Sequence, residues 1–498
     1  MSVAQTDLHP SQRKRAWPAL FSLVIGFFMI LVDQTIVSVA MPHIMTGLDA
    51  DVNDVVWVTS AYLLAFAVPL LVTGRLGDRF GPKNVYLVGL TTFTLSSAWC
   101  GFATSIEQLI LARVVQGLGG SMMTPQTMAV ITRMFPPKQR GAAMGLWGGV
   151  AGFASLAGPM LGGVIIDGLD WRWIFFINLP VGIVAIVAVS LLVPQLPRHT
   201  HTFDLLGVVL SAVGMFLLVF GIQEGAAHDF GPVPIALGPV GLAPPSVGLV
   251  VAGVVVLALF VSWQAVNRSE PLLPLRLFRT RDFTFASLGI CVVGFVVTSM
   301  SMPMMLYLQV GAGLSPIRAA AMLVPMAVIS WVLAPFMGKL AHGRLGRGIA
   351  VVSLACLGVW LGWFALWVQA QVPVLLLLVP SALLGLANGG MWGALSMAAT
   401  RDLPMDGAGA GAGVYNTLRQ VGAVIGSAGI AATMEGRLVA NGLPTSIQGA
   451  GAAVPAEVAG PFSNAMGQSL LLPAAVSFVG VAAALFLTRR DNDGAPLS

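Results

Sequence analysis

Apolar residues fill this chain in long, nearly unbroken runs separated by short polar segments. The runs show neither the two-residue alternation of a half-buried strand nor the narrow apolar stripe of a surface helix. Fourteen of them approach or exceed the ~20 residues that a helix needs to cross a ~30 Å hydrocarbon core. They cover 17–41, 55–74, 84–104, 107–131, 142–166, 174–193, 205–223, 247–266, 284–309, 318–341, 349–369, 373–400, 408–433 and 469–488. The pattern predicts an all-α polytopic membrane protein with fourteen transmembrane helices. The first run imitates a cleaved leader, with Arg13-Lys14-Arg15 before it and Ser38-Val39-Ala40 within it. It is too long for a leader's apolar region, and thirteen more runs follow.

Charge placement orients the chain. With the N-terminus inside, twenty of the 25 Lys and Arg residues fall on the cytoplasmic side. Only Arg172, Arg318 and Arg437 fall outside, and Arg113 and Arg419 lie within spans. Such asymmetry is the positive-inside pattern, and it needs an even number of spans. The expectation is a multi-pass protein of the cell (inner) membrane with both termini cytoplasmic.

Composition narrows the chemistry. Charged residues make up 9% of the chain and apolar ones 57%, whereas soluble domains are roughly 25% charged. Disorder, a disulfide scaffold and nucleic-acid binding are excluded, and the net charge of +5 reflects basic inner loops. Cys100, Cys291 and Cys356 each sit inside an apolar run and read as small buried hydrophobes. The six histidines lie at or beyond the ends of runs, so neither a metal centre nor a His-based acyl-transfer site is expected.

The chain also repeats itself. Gly74-Arg75-Leu76-Gly77-Asp78-Arg79-Phe80-Gly81 closes the second run, and Gly338-Lys339-Leu340-Ala341-His342-Gly343-Arg344-Leu345-Gly346 closes the tenth. If both mark the second helix of a six-helix half, the halves are 17–194 and 283–488. Two inserted helices then occupy 195–282, with tails at 1–16 and 489–498. Internal duplication around a midplane cavity is a common build of secondary transporters.

Five motifs lie in order on these runs. They are Asp33-Gln34-Thr35-Ile36-Val37-Ser38-Val39-Ala40-Met41-Pro42, the segment Gly74 to Lys83, and Arg113-Val114-Val115-Gln116-Gly117-Leu118-Gly119. Gly158-Pro159-Met160-Leu161-Gly162-Gly163 and Trp171-Arg172-Trp173-Ile174-Phe175-Phe176-Ile177-Asn178-Leu179-Pro180 complete the set. Together they resemble the fourteen-helix drug:proton antiporter branch of the major facilitator superfamily (the EmrB/QacA type), over residues 17 to 488. Pro82 stands where that pattern usually has a basic residue, and Ala154 where it usually has glycine. The resemblance implies the major facilitator fold, two six-helix halves plus two inserted helices. It also implies that Asp78, with Gly74, Arg79, Gly81 and Lys83, latches the halves on the cytoplasmic side; the competing reading is a topological anchor. For Gly158, Pro159, Gly162 and Gly163 it implies a contact between halves associated with export. The alternative is ordinary small-residue packing.

Asp33 is the one acidic residue deep inside a run, roughly 13 Å from the outer end at 1.5 Å per residue. Arg113 lies roughly 9 Å deep, so the two can pair. A carboxylate at such depth costs at least ~2.5 kcal/mol and needs a partner or a purpose. Proton coupling and a permanent ion pair gluing two helices are the two readings. Arg419 has no acid at matching depth in the last six runs, so it faces water, backbone carbonyls or a ligand, as substrate contact or structural hub. Asn388, Asn416, Gln420, Met304, Tyr307, Trp147 and Trp392 are candidate substrate-lining residues, with plain packing as the alternative for the apolar ones. Gly407, Gly409, Gly411 and Gly413 lack the strand and the Lys-Ser/Thr of a phosphate loop and read as packing at a helix start.

The function expected is proton-coupled efflux of small lipophilic compounds by alternating access. An exporter of a dedicated metabolite or lipid is the alternative, and a membrane-embedded enzyme is more remote. No nucleotide motif occurs, so no cofactor is expected beyond the proton gradient. The partners are the bilayer, a lipophilic small molecule and protons; a periplasmic adaptor leaves no mark in the sequence.

Overall fold

The computed structural model describes residues 16–135, 143, 150, 154, 157–196, 204–227, 231–233, 235–237, 240–242, 244–267, 271–341, 345–400, 408–444 and 456–488. Helix α1 spans Ala16–Leu48, α2 Val52–Ala67, α3 Leu70–Phe80, α4 Pro82–Gly101 and α5 Ile106–Met134. Helical residues cover 157–168, followed by α6 Trp173–Phe176 and α7 Asn178–Leu192. Next come α8 Leu205–Ala227 and α9 Ser246–Val266. The remaining helices are α10 Arg281–Leu306, α11 Pro316–Ala321, α12 Val324–Leu340, α13 Gly346–Gln369, α14 Leu378–Thr400, α15 Ala408–Ala440 and α16 Ala456–Leu485.

Local chemistry sets several of these ends. Asp51 and Asp54 cap α2 reciprocally, with Asp54 N–H donating to Asp51 Oδ1 at 2.8 Å and Asp51 N–H donating to Asp54 Oδ2 at 3.2 Å. Pro69 separates α2 from α3 inside what the sequence offers as one run, because its ring and missing N–H interrupt the helical ladder. Gly81 has φ +90°, which lets the chain turn sharply from α3 into α4. Pro303 lies in α10 four residues before a π-helical turn at Tyr307–Gly311.

Among the described residues, nine helical segments are long and apolar enough to cross a bilayer. The second run is split at Pro69, and the fifth is described as a continuous helix only over 157–168. Helices α4, α5 and α15 have the length, at 20, 29 and 33 residues, but small and polar side chains dilute their apolarity. A two-stranded antiparallel hairpin, Ile235–Leu237 with Val240–Leu242, departs from the all-α expectation. It forms in the connection between α8 and α9, outside the apolar runs. The segment between the last two apolar runs is helical up to Ala440 and again from Ala456.

Two sets of helices emerge from the packing. In the first, α5 packs on α4, α2 and α1, and α7 packs on α4 and α1; in the second, α10, α12, α13, α14, α15 and α16 pack among themselves. Helix α2 meets α15 across the joint, and α1 meets α10 and α11. The pair α8–α9 flanks this joint, with α8 against α15 and α2. Only 17% of the apolar stretch of α9 is buried, against 67% for α1, so α9 presents most of its surface to lipid and α1 sits at the core.

The Lys/Arg-rich end of the bundle is tied by charged side chains donating to carbonyls. Arg75 reaches Pro271 O at 2.7 Å, Lys83 Ser190 O at 2.7 Å, and Arg281 Phe486 O at 2.7 Å. At the opposite end, Gln309 Nε2 donates to Val39 O at 3.0 Å across the joint. There too, Glu224 of α8 accepts from Trp57 Nε1 at 2.6 Å and Asn53 Nδ2 at 3.1 Å of α2.

Candidate functional site: a buried charge network

Asp33 lies mid-way along α1 and is 0% exposed. Its Oδ2 accepts from Arg113 Nη1 at 2.5 Å. Its Oδ1 accepts from Gln116 Nε2 at 2.9 Å and from Asn178 Nδ2 at 3.2 Å. Arg113 and Gln116 are three residues apart on α5, which puts both on one face, and Arg113 Nη1 also donates to Gln116 Oε1 at 2.7 Å. Arg113 Nε donates to Val58 O on α2 at 3.2 Å, and the guanidinium carbon lies 4.1 Å from the centre of the Tyr62 ring. Asn178, at the start of α7, donates further to Ser97 Oγ on α4 at 3.0 Å. Five helices of the first set thus converge on one carboxylate.

Energetics follow from this closure. Two unpaired charges at such depth would each cost several kcal/mol, and their attraction offsets that only when the other lone pairs and N–H groups are also satisfied. Here both carboxylate oxygens are bonded, and the cation has a carbonyl, an amide and an aromatic face as well. Removing either partner strands the other in a low-dielectric site, a loss of about 3–5 kcal/mol unless it changes protonation. Of the two, only the aspartate can do so by accepting a proton.

The glycine motif at 158–163 touches both helix sets. A Cβ on Gly158 would overlap Thr35 Oγ1 and lie 3.1 Å from Val32 O, residues two after and one before Asp33. One turn on, a Cβ on Gly162 would stand 2.9 Å from Ile36 Cγ1. On Gly163 it would stand 2.7 Å from Ile317 Cα and 3.0 Å from Ile317 N, at the start of α11. The segment bearing Pro159 is therefore pressed between α1 and the second set, with no room for side chains on that seam.

The motif at 74–83 has a more local setting. Lys83 Nζ binds a carbonyl in the last turn of α7, where a cation meets the negative end of the helix. The Arg79 guanidinium lies 5.5 Å from the Phe80 ring centre. A Cβ on Gly74 would make an ordinary 3.7 Å contact with Pro125. The Asp78 side chain, on which the latch reading turns, lies outside the described residues, as does Trp147.

In the second set, Trp392 Nε1 donates to Asn388 Oδ1 one turn away at 2.8 Å. Met304 and Tyr307 are 1% and 4% exposed, within the apolar core. Arg419 and Asn416 are partly exposed on α15, while Gln420 is 1% exposed. A Cβ at Gly413 meets open space, so no close packing explains that glycine. Among the described residues, no group of three or more His, Cys, Asp or Glu could hold a metal ion.

Sequence reasoning located Asp33 and Arg113 but passed over Gln116, Asn178 and Ser97. Gln116 and Asn178 stand inside two of the quoted motifs, and amides interrupting an apolar run were the available signal.

Residues 23–427 match the sequence profile of the family described as Major Facilitator Superfamily. The chain is 44% identical to an uncharacterized MFS-type transporter of Mycobacterium tuberculosis, over 97% of this chain and 83% of that protein. It is 32% identical to the tetracenomycin C resistance and export protein of Streptomyces glaucescens, covering 86% and 77% of the two chains. It is 34% identical to a probable actinorhodin transporter of Streptomyces coelicolor, covering 85% and 73%. Its fold is similar to that of a D-xylose–proton symporter, with a TM-score of 0.64 at 13% identity over 97% of this chain and 99% of that one.

Proposed function

Because the chain belongs to the Major Facilitator Superfamily and is a transporter rather than an enzyme, we propose that it exports small lipophilic compounds in exchange for protons. In this reading it is a fourteen-span antiporter of the drug:proton type, two six-helix halves with α8 and α9 inserted, both termini cytoplasmic. The observation that carries it is the Asp33–Arg113 pair, buried and enclosed by five helices. In the described arrangement three donors bond the Asp33 carboxyl oxygens. A shift of α1 against α5 that withdraws Arg113 leaves a desolvated carboxyl, whose proton affinity then rises. Proton uptake in one state and release in the other give coupling.

The seam at 158–163 supports transmission of that shift. Gly158 and Gly162 bear on α1 beside Asp33, and Gly163 bears on α11 of the second set. Movement of one set against the other therefore acts on the helix that holds the carboxylate. The direction of transport is supported by a relative named as an export protein. A second reading, a dedicated exporter of one compound, is favoured by relatives named for single compounds, tetracenomycin C and actinorhodin.

The test is transport in proteoliposomes. An imposed pH gradient should drive substrate accumulation, an uncoupler should abolish it, and ATP should have no effect. Accumulation that survives the uncoupler refutes the reading.

A further inference from the structure

Arg419 is partly buried near the middle of α15, and among the described residues it makes no hydrogen bond or ion pair. The described acids of the second set stand far from it. Asp282 opens α10, Glu457 lies in the first turn of α16, and Glu435 is sixteen residues along α15, roughly 24 Å at 1.5 Å per residue. A guanidinium in an apolar bundle needs acceptors, and this one has none among the described residues.

Its neighbours share the deficit. Tyr415 is one turn before Arg419, 7% exposed, and its Oη has no hydrogen-bond partner. Gln420 is 1% exposed, and its Nε2 has none either. At about 100° per residue, Tyr415, Arg419 and Gln420 fall within an arc of roughly 140° on the same helix. All three unmet groups can donate: the guanidinium has only donors, Nε2 is a donor, and the phenol can be one. A donor cluster with one formal positive charge is complementary to an oxygen anion, and the planar fork of arginine suits a carboxylate. The partial exposure of Arg419 leaves it reachable by a ligand.

We propose that Tyr415, Arg419 and Gln420 form the polar anchor of the substrate site, and that this site selects lipophilic monoanions carrying a carboxylate. The proposal rests on the reading of the chain as an exporter and names the substrate class of that exporter.

The experiment is equilibrium binding to the purified full-length protein in a non-ionic, phospholipid-free detergent at pH 7.5. The probes are 1-pyrenebutyrate, 1-pyrenebutyramide and 1-pyrenebutylamine, which share an apolar body and differ in head-group charge. Wild type should bind the carboxylate at least tenfold more tightly than the amide, with the amine weakest. Arg419→Gln should remove the preference while amide affinity stays within twofold. Arg419→Lys should keep part of it, and Tyr415→Phe should reduce it about threefold. Equal affinity for carboxylate and amide in wild type, binding of none of the three, or an unchanged preference in Arg419→Gln overturns the proposal. Should Arg419→Gln fail to fold, an unchanged preference in both Arg419→Lys and Tyr415→Phe overturns it. Binding needs no gradient. A carboxylate preference without gradient-driven transport would therefore refute antiport and leave the anchor standing, and the reverse would refute the anchor alone.

Discussion

Ser60 on α2 and Ser427 on α15 face each other across the joint between the helix sets, with their hydroxyl oxygens 2.7 Å apart and both side chains buried. If the sets rock against each other during transport, this contact must open. A Ser60→Cys/Ser427→Cys double variant, made with Cys100, Cys291 and Cys356 replaced, should lose transport on oxidation and regain it on reduction. The measurement is uptake into proteoliposomes before and after a mild oxidant, with each single variant unaffected.

The seam at Gly163 predicts a graded steric effect. A Cβ there would sit 2.7 Å from the Ile317 backbone, which cannot move aside as a flexible side-chain tip could. Gly163→Ala should lower the transport rate several-fold and Gly163→Leu at least tenfold, with expression and monodispersity retained. Rates at matched protein density in vesicles provide the check.

Asp204 gives a prediction for stability. It caps α8 and accepts from Trp263 Nε1 at 2.7 Å, Gln264 Nε2 at 2.6 Å and Gly207 N at 2.9 Å, which joins α8 to α9. Burial raises its pKa, but these hydrogen bonds outweigh burial and hold the carboxyl below the usual range. Its contribution is therefore full above the unfolded value of about 3.9 and is lost as pH falls through the lower folded value. Asp204→Ala should cost about 3 kcal/mol at neutral pH, because three donors lose their acceptor. Thermal unfolding in detergent as a function of pH should show the wild-type advantage shrink below about pH 4.

Substrate charge gives another. Asp33 is committed to Arg113, and the described second set has no acid near Arg419. A compound with two positive charges would find no pair of carboxylates to meet it. In cells expressing the protein, bis-quaternary ammonium compounds should compete at least tenfold less well than lipophilic monocarboxylates of similar hydrophobicity.

What was legible in the sequence was whatever carries a local signal. Runs of apolar residues mark helices because the bilayer demands them, and a charge inside such a run is rare enough to single out Asp33 and Arg113. Their depths, counted from the run ends, sufficed to suggest that they pair. Gln116 and Asn178 gave no comparable signal, since an amide in an apolar helix reads equally well as packing, and its partner is chosen only by tertiary contact. The same holds for Gly163: its spacing announces a close approach, but nothing local names Ile317, more than 150 residues away, as the neighbour. Pro69 was visible as a residue but not as a break, because proline inside membrane helices often only kinks them. Met304 and Tyr307 keep both meanings, because their burial suits a packing residue and the lining of a closed pocket alike.

The central claim is that Asp33 carries the proton. The direct measurement compares wild type with Asp33→Asn in the same proteoliposomes, by gradient-driven accumulation and by substrate counterflow at equal pH on both sides. Asparagine keeps the size and the acceptor oxygen but cannot titrate. The account predicts that accumulation falls to background while counterflow continues at a comparable rate. Asp33→Asn protein that still concentrates substrate against its gradient would contradict it.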